Sequence, residues 1–418
     1  MNNVSVIRKR TNWVRTGLKF RFDYWMFLSL AGLLVMGMLI VYSATFDYGL
    51  RFQDEPTYYF KRQFVAMVMG LVAIIIIMQF DYQMLRLVSV PLLGFTLLGL
   101  LFLLFFAETI FGARRGFYEG SFQPSEVAKL ATILYISHWL STKGDKIKGL
   151  TYGLIPFSVI TGVVCAFIVR QPDLSTAVLI ATTSYLLFFI AGADWKQFAA
   201  AGLVAVVVFG FLMLTLTHAR GRVDAYTAAL NDPSQAHWHV QQALIALGSG
   251  GMFGVGLGKG IQKFGPLPAA HTDGIFAVLG EELGLVGCLL TISLMIIFAW
   301  RGFRAATKAR DSFGFLLAVG ITSWLCLQAL INIAVITAVI PFTGIPLPFI
   351  SYGGSSMLLS LIGAGILLNI SRDAAMTSNR QQPSNPTIDT PIVETLRESF
   401  SLRRRHRRAH LSRFSRRL

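Results

Sequence analysis

The residues able to do chemistry stand at the ends of long apolar runs, where a charge is costly and signals function. One run opens at Gln123-Pro124-Ser125-Glu126-Val127-Ala128-Lys129. Pro124 suits a first helical position, and Glu126 sits in a first turn where the helix dipole favours an anion. Glu126 and Lys129 are three apart, so on a helix they share a face and pair. They form either a self-neutralising structural pair or the polar wall of a cavity. A second run opens at Gln171-Pro172-Asp173, where Asp173 either caps the helix or serves the same cavity. A third opens at His271-Thr272-Asp273, straight after a glycine-rich segment with its lysines, Lys259 and Lys263. Capping by Thr272 or Asp273 is one reading. The stronger one is a general base, because partial shielding from water lets a carboxylate take up a proton. Glu281 and Glu282 lie about 12–14 Å deeper along that helix and point to different faces, so they read as buried hydrogen-bonding groups. Pro346-Leu-Pro348-Phe-Ile-Ser351-Tyr352-Gly-Gly-Ser355-Ser356 is a broken lead into the last run. Irregular backbone at membrane depth persists only inside protein or along a cavity, which makes Ser351, Tyr352 and Ser355 candidate lining residues.

These groups require helices in a bilayer to hold them. Of the 418 residues, 54% are hydrophobic and 14% charged, well short of the charge on a soluble domain. Ten apolar stretches are long enough to span, at roughly 24–46, 62–80, 84–106, 124–140, 150–169, 173–191, 196–217, 274–299, 313–340 and 353–371. The expected architecture is an all-α integral membrane domain over 24–372, with a basic tail at 1–23 and a flexible basic tail at 373–418. Lys and Arg are in excess on the side that carries both tails, which places the termini in the cytoplasm. The basic tails suit anionic lipid better than nucleic acid. Cys165, Cys288 and Cys326 all fall in apolar runs, excluding a disulfide framework or zinc cluster. The His237/His239 pair has no carboxylate at metal-ligand spacing.

One connection is out of proportion. Residues 218–273, between spans seven and eight, form a large external loop that carries aromatic residues and short apolar runs. Surface helices are expected in it. Its segment 248–260, GSGGMFGVGLGKG, is either a hinge or a backbone cradle for an anion. The external cations Arg114, Arg115, Arg220, Arg222 and Lys263 work against the positive-inside rule. An anionic ligand on the outer face would account for them. Carboxylates from the starts of three spans and cations from the loops suit an anionic, lipid-linked substrate, either moved or reacted.

At these same positions the sequence resembles the SEDS family of FtsW and RodA polymerases. The motifs are GARR at 112–115, SFQPSEVAK at 121–129, QPD at 171–173, LPAAHTDGIFAVLGEELGLVG at 267–287 and PLPFISYGGSS at 346–356. The resemblance implies ten spans and a peptidoglycan glycosyltransferase of the inner membrane that polymerises lipid II. It also implies a class B penicillin-binding protein as partner, other division proteins nearby, and a division rather than elongation role. By motif, Asp273 matches the family's essential aspartate. Glu126, Lys129, Asp173, Arg114 and Arg115 match its other polar positions. Arg220, Arg222, Lys263, His271 and Ser351 complete the expected substrate-binding set, with no protein metal site but a divalent cation, Mg or Mn, as a candidate cofactor at the leaving pyrophosphate. Gly116-Phe117 departs from the Trp usual after GARR, Ser175 from the Gly usual after QPDL, and His218-Ala-Arg220-Gly-Arg222 lacks the usual Tyr. A flippase for the same lipid or a division scaffold is the competing class.

Overall fold

Polar caps divide the apolar sequence into helices. The computed structural model describes residues 23–106, 123–232 and 236–381, and their regular elements are helical. The Asp23 carboxylate accepts from the Met26 N–H and opens α1 (Tyr24–Gln53). After α2 (Tyr58–Gln79), Asp81 caps a short turn into α3 (Leu85–Phe106). Pro124 starts α4 (Pro124–Lys143) as its residue type predicts. A π-turn at Leu150–Leu154 leads into α5 (Ile155–Val169). Asp173 caps α6 (Leu174–Ile190), and Asp194 caps α7 (Trp195–Thr215). The large connection holds α8 (Thr217–Asn231) and α9 (Trp238–Gly250). Then come α10 (Ile275–Thr307), α11 (Ser312–Ile336), capped by Asp311, and α12 (Gly354–Gln381). Each capping oxygen satisfies an N–H that the first helical turn leaves open.

Among the described residues eight helices are long and apolar enough to cross a membrane. The two expected stretches outside that set are α6, at 17 residues, and α4, whose 20 residues are less apolar. Most of α4 is buried against neighbouring helices, so its polar side chains meet protein. At the opposite extreme, α7 buries no residue. Several boundaries differ from expectation: α1, α10 and α12 run past the expected 46, 299 and 371 to Gln53, Thr307 and Gln381, α2 starts at Tyr58 instead of 62, and α11 falls short of 340. Helix α11 stops at Ile336, and 337–353 runs without regular helix to the start of α12.

The longest helix is broken. Inside α10, Gly284 takes φ 67 and ψ −165, outside helical space. The glycine-rich segment fills the break. Val255 and Gly256 N–H groups donate to the Glu281 and Glu282 carbonyls at 3.0 and 3.1 Å. Leu285 and Val286 return bonds to the Gly251 and Met252 carbonyls at 2.9 and 3.2 Å. A Cβ on Gly254, itself at φ +78, would lie 2.2 Å from the Glu282 carbonyl oxygen. The glycines are therefore spent on close backbone pairing that satisfies a kinked helix. Neither the hinge nor the anion-cradle reading of 248–260 describes this.

Candidate functional site

Three successive backbone carbonyls ahead of α10 are each tied. The His271 carbonyl accepts from the Tyr352 N–H at 2.9 Å, and the Thr272 carbonyl accepts from the Ser351 hydroxyl at 2.7 Å. The Asp273 carbonyl accepts from Asn332 Nδ2 at 2.9 Å. The N-cap of α10 is Gly274, so Asp273 stands one residue ahead of the helix and does not fill the cap position. It is half-buried. Facing it is Gly344 (φ +74), where a Cβ would sit 3.2 Å from Asp273 Oδ2. Only a residue without a side chain lets the 337–353 segment come this close to the carboxylate in that conformation.

That segment is held by side-chain amides from two helices. Gln63 of α2 donates to the Ser351 carbonyl at 3.0 Å and accepts from the Gly353 N–H at 3.1 Å. Asn332 Nδ2 also donates to the Ile345 carbonyl at 2.7 Å. Gln328 Nε2 donates to the Pro346 carbonyl at 3.0 Å. Gln328 Oε1 accepts from Lys129 Nζ at 3.0 Å and from Trp324 Nε1 at 2.8 Å. Lys129 is paired with Glu126 at 2.8 Å, and the two residues are 2% and 4% exposed.

A cavity of about 440 Å³ adjoins the segment, walled by α6, α7, α8 and α11. Its lining is mainly apolar, with Ser175, Thr215, Thr217, Arg222 and Thr343 as polar members. Arg222 donates to the Thr343 carbonyl at 3.3 Å and lies over the Phe342 ring. Ser175 donates to the same carbonyl at 2.6 Å. The His237 and His239 rings pack on Phe342, with centroids 5.3 and 4.4 Å away. Burial pushes the His239 imidazole down to about 4, with His237 adding to the effect. On the other side, His271 sits among Tyr48, Tyr59 and Tyr352, at 4.8, 6.0 and 5.6 Å between ring centroids. Burial alone holds the His271 imidazole down at about 4, so it stays neutral at physiological pH. Burial likewise raises the Tyr352 phenol to about 12, against a smaller opposing pull from Arg62.

One face of the 337–353 segment thus meets the Asp273 carboxylate at Gly344, and its neighbours Thr343 and Ile345 line a cavity with a guanidinium in its wall. Residues 24–376 match the model of the FtsW, RodA and SpoVE family, described as cell cycle protein. The chain belongs to this family. It is 38% identical to a Geobacter sulfurreducens protein named "Probable peptidoglycan glycosyltransferase FtsW", over 84% of this chain and 95% of that one. It is 39% identical to the stage V sporulation protein E of Bacillus subtilis, over 81% of this chain and 94% of the relative. Among solved structures, a chain of a peptidoglycan synthase complex that coordinates polymerization and crosslinking superposes with a TM-score of 0.69. That match has 25% identity and covers 85% of this chain and 99% of the other. The Thermus thermophilus rod shape determining protein RodA superposes at 0.63, with 26% identity, over 85% and 98% of the two chains.

Within this FtsW/RodA-type fold, the expected site residues separate into groups. Asp273, His271, Ser351 and Arg222 gather around the 337–353 segment. Ser351, expected to bind substrate, is 5% exposed and spends its hydroxyl on the Thr272 carbonyl and the Leu347 N–H. A buried hydroxyl must be satisfied, and irregular backbone supplies the partners. Of the two readings open for Glu126 and Lys129, the structure shows the buried pair: they lie inside the bundle with the ammonium bonded to Glu126 and Gln328. Asp173 is buried and accepts from the Thr176 N–H at 3.2 Å, which is the cap reading. Arg220 is exposed and 3.8 Å from Asp224, one helical turn away. Lys263 does not face outward. It is bonded to Ser43 and Glu282, with its side chain 3% exposed. Arg114 and Arg115 lie outside the described residues. Sequence reasoning missed Gln63, Gln328 and Asn332. The available signal was Trp324, Gln328 and Asn332 recurring every four residues along an apolar helix.

Proposed function

We propose that this chain is a peptidoglycan glycosyltransferase that polymerises lipid II, with Asp273 as the general base. The single observation that carries the reading is Asp273, whose backbone is tied at three consecutive carbonyls and whose carboxylate lies opposite Gly344, between Thr343 and Ile345 of a cavity with an apolar wall and Arg222. A lipid-linked donor would lay its polyprenyl chain along that wall, with its pyrophosphate toward Arg222. Asp273 takes the proton of the acceptor sugar hydroxyl as its oxygen bonds to the anomeric carbon of the donor. The anomeric carbon–oxygen bond breaks, and the polyprenyl pyrophosphate leaves with the electron pair. A guanidinium in a partly dry wall stabilises that charge better than water does. Among the described residues no group of three or more His, Cys, Asp or Glu is placed to hold a metal ion. These residues form no all-protein cage for Mg or Mn, and a divalent cation would be held largely by the substrate pyrophosphate.

In this reading all ten helices of the expected stretches span the inner membrane, the termini are cytoplasmic, and α8, α9 and Asp273 face the outside. A class B penicillin-binding protein crosslinks the strands, and the work is done at the division septum. The test is lipid II polymerisation by the purified protein with its crosslinking partner, the partner's transpeptidase being blocked. Wild type is expected to make glycan strands and Asp273→Asn none. Strands from Asp273→Asn would remove the base assignment, and none from a bound, folded wild-type pair would remove the polymerase reading.

A further inference from the structure

We propose that Gln328 and Asn332 of α11 are positioning residues that couple the Glu126–Lys129 pair to Asp273. The buried pair then sets the geometry of the base without touching substrate. This rests on the reading of Asp273 as the base.

A carboxamide has one acceptor end and one donor end, and only the right choice satisfies its surroundings. Gln328 Oε1 meets two donors, Lys129 Nζ and Trp324 Nε1, while its Nε2 meets the Pro346 carbonyl. Turning the amide over would set its NH2 against an ammonium and an indole N–H. Lys129 and Trp324 therefore hold the Gln328 donor on the Pro346 carbonyl. Glu126 pairs with Lys129 at 2.8 Å and holds its ammonium in that buried place. One turn on, Asn332 Nδ2 bridges the neighbouring Ile345 carbonyl and the Asp273 carbonyl. Two adjacent carbonyls next to Gly344 are thus fixed from α11, and Gly344 is the residue that faces Asp273 Oδ2. The chain of contacts runs Lys129, Gln328, Pro346 and Ile345, then Gly344 and Asn332 to Asp273. No member before Asp273 needs access to the cavity.

The experiment compares Lys129→Met, Gln328→Glu, Asn332→Leu and the Lys129→Met/Asn332→Leu double variant, in the full chain with its crosslinking partner, by turnover of lipid II. Misplacing a base by a fraction of an ångström leaves binding nearly intact and lowers kcat, so each single change is expected to lower kcat about 10–100-fold with KM held within about threefold. The double variant is expected to be no more than about threefold slower than the slower single, because both changes break one coupled element. Gln328→Glu is nearly isosteric and keeps the acceptor for Lys129 while losing the donor to Pro346, so it decides the matter if Asn332→Leu fails to fold. Wild-type kcat in Gln328→Glu or in folded Asn332→Leu would overturn the coupling. So would a raised KM at unchanged kcat, or single effects that multiply in the double. Asp273→Asn is run alongside. An active Asp273→Asn defeats the base reading, whereas an inactive one beside full-speed α11 variants defeats only this inference.

Discussion

Among the described residues two buried lysine–glutamate pairs have different jobs. Lys129 and Glu126 are three residues apart on α4, and the lysine's remaining reach goes to Gln328, which grips the segment opposite Asp273. Lys263 and Glu282 come from a loop and from α10, and the lysine's remaining reach goes to Ser43 on α1. The first pair therefore leads to the site. The second anchors the glycine-rich segment to the helices, while the neighbouring Glu281 takes the Ile261 N–H at 2.7 Å. Burial and pairing are alike in the two, so neither feature marks function. What separates them is where the third hydrogen bond goes.

The comparison can be broken by substitution. The largest effect belongs to the Asp273 carboxylate. Asp273→Asn should cut strand synthesis by about 10²–10⁴-fold with an unchanged melting temperature, measured on the same purified complex. Next come the pairs themselves. Lys129→Met and Lys263→Met each strand a buried carboxylate and should each cost about 3–5 kcal/mol in thermal or denaturant unfolding. Neutralising the partner discriminates between them. Lys263→Met/Glu282→Gln should recover both stability and turnover, whereas Lys129→Met/Glu126→Gln should recover stability alone. Full turnover in the latter double variant would erase the distinction drawn here.

A smaller loss is expected from Gly254→Ala, which forces a side chain into a left-handed conformation against the Glu282 carbonyl. It should destabilise by at least about 1 kcal/mol and leave KM unchanged. The smallest effect is in pH. His239 and His271 are held neutral at values near 4 when folded, while the unfolded chain protonates its histidines below about 6.5. The unfolded state thus binds more protons in that interval, and stability should fall as pH drops from about 6.5 toward 4. His239→Gln should flatten the acid side of a melting-temperature profile. An unchanged slope would mean that His239 is not held neutral.

Much of the site was legible because its signals are local. Pro124, Glu126 and Lys129 announce a helix start and a same-face pair within seven residues. Asp173 reads as a cap from its place before an apolar run. Asp273 stands out as a carboxylate at a helix start beside an unusual loop. The misreadings share one cause. Lys263 looked like an outward cation because its partners, Ser43 and Glu282, are 220 and 19 residues away. The glycines at 248–260 looked like a hinge or cradle because the kink they complete lies in another helix. Gln63 carries no local mark at all, and the four-residue recurrence of Trp324, Gln328 and Asn332 marks a shared face without saying what it holds, since an amide in an apolar helix declares its purpose only through the backbone it meets.

The sequence by itself determined which apolar stretches become the long helices, where capped ones such as α4 and α6 begin, and which carboxylate is the candidate base. Hydropathy, caps and i,i+3 spacing act over a few residues and need no knowledge of the fold. Only the tertiary structure decided which polar groups face a cavity and which are spent on other chain segments. Inside an apolar bundle every buried donor and acceptor must find a partner, and which partner is available depends on how the helices pack.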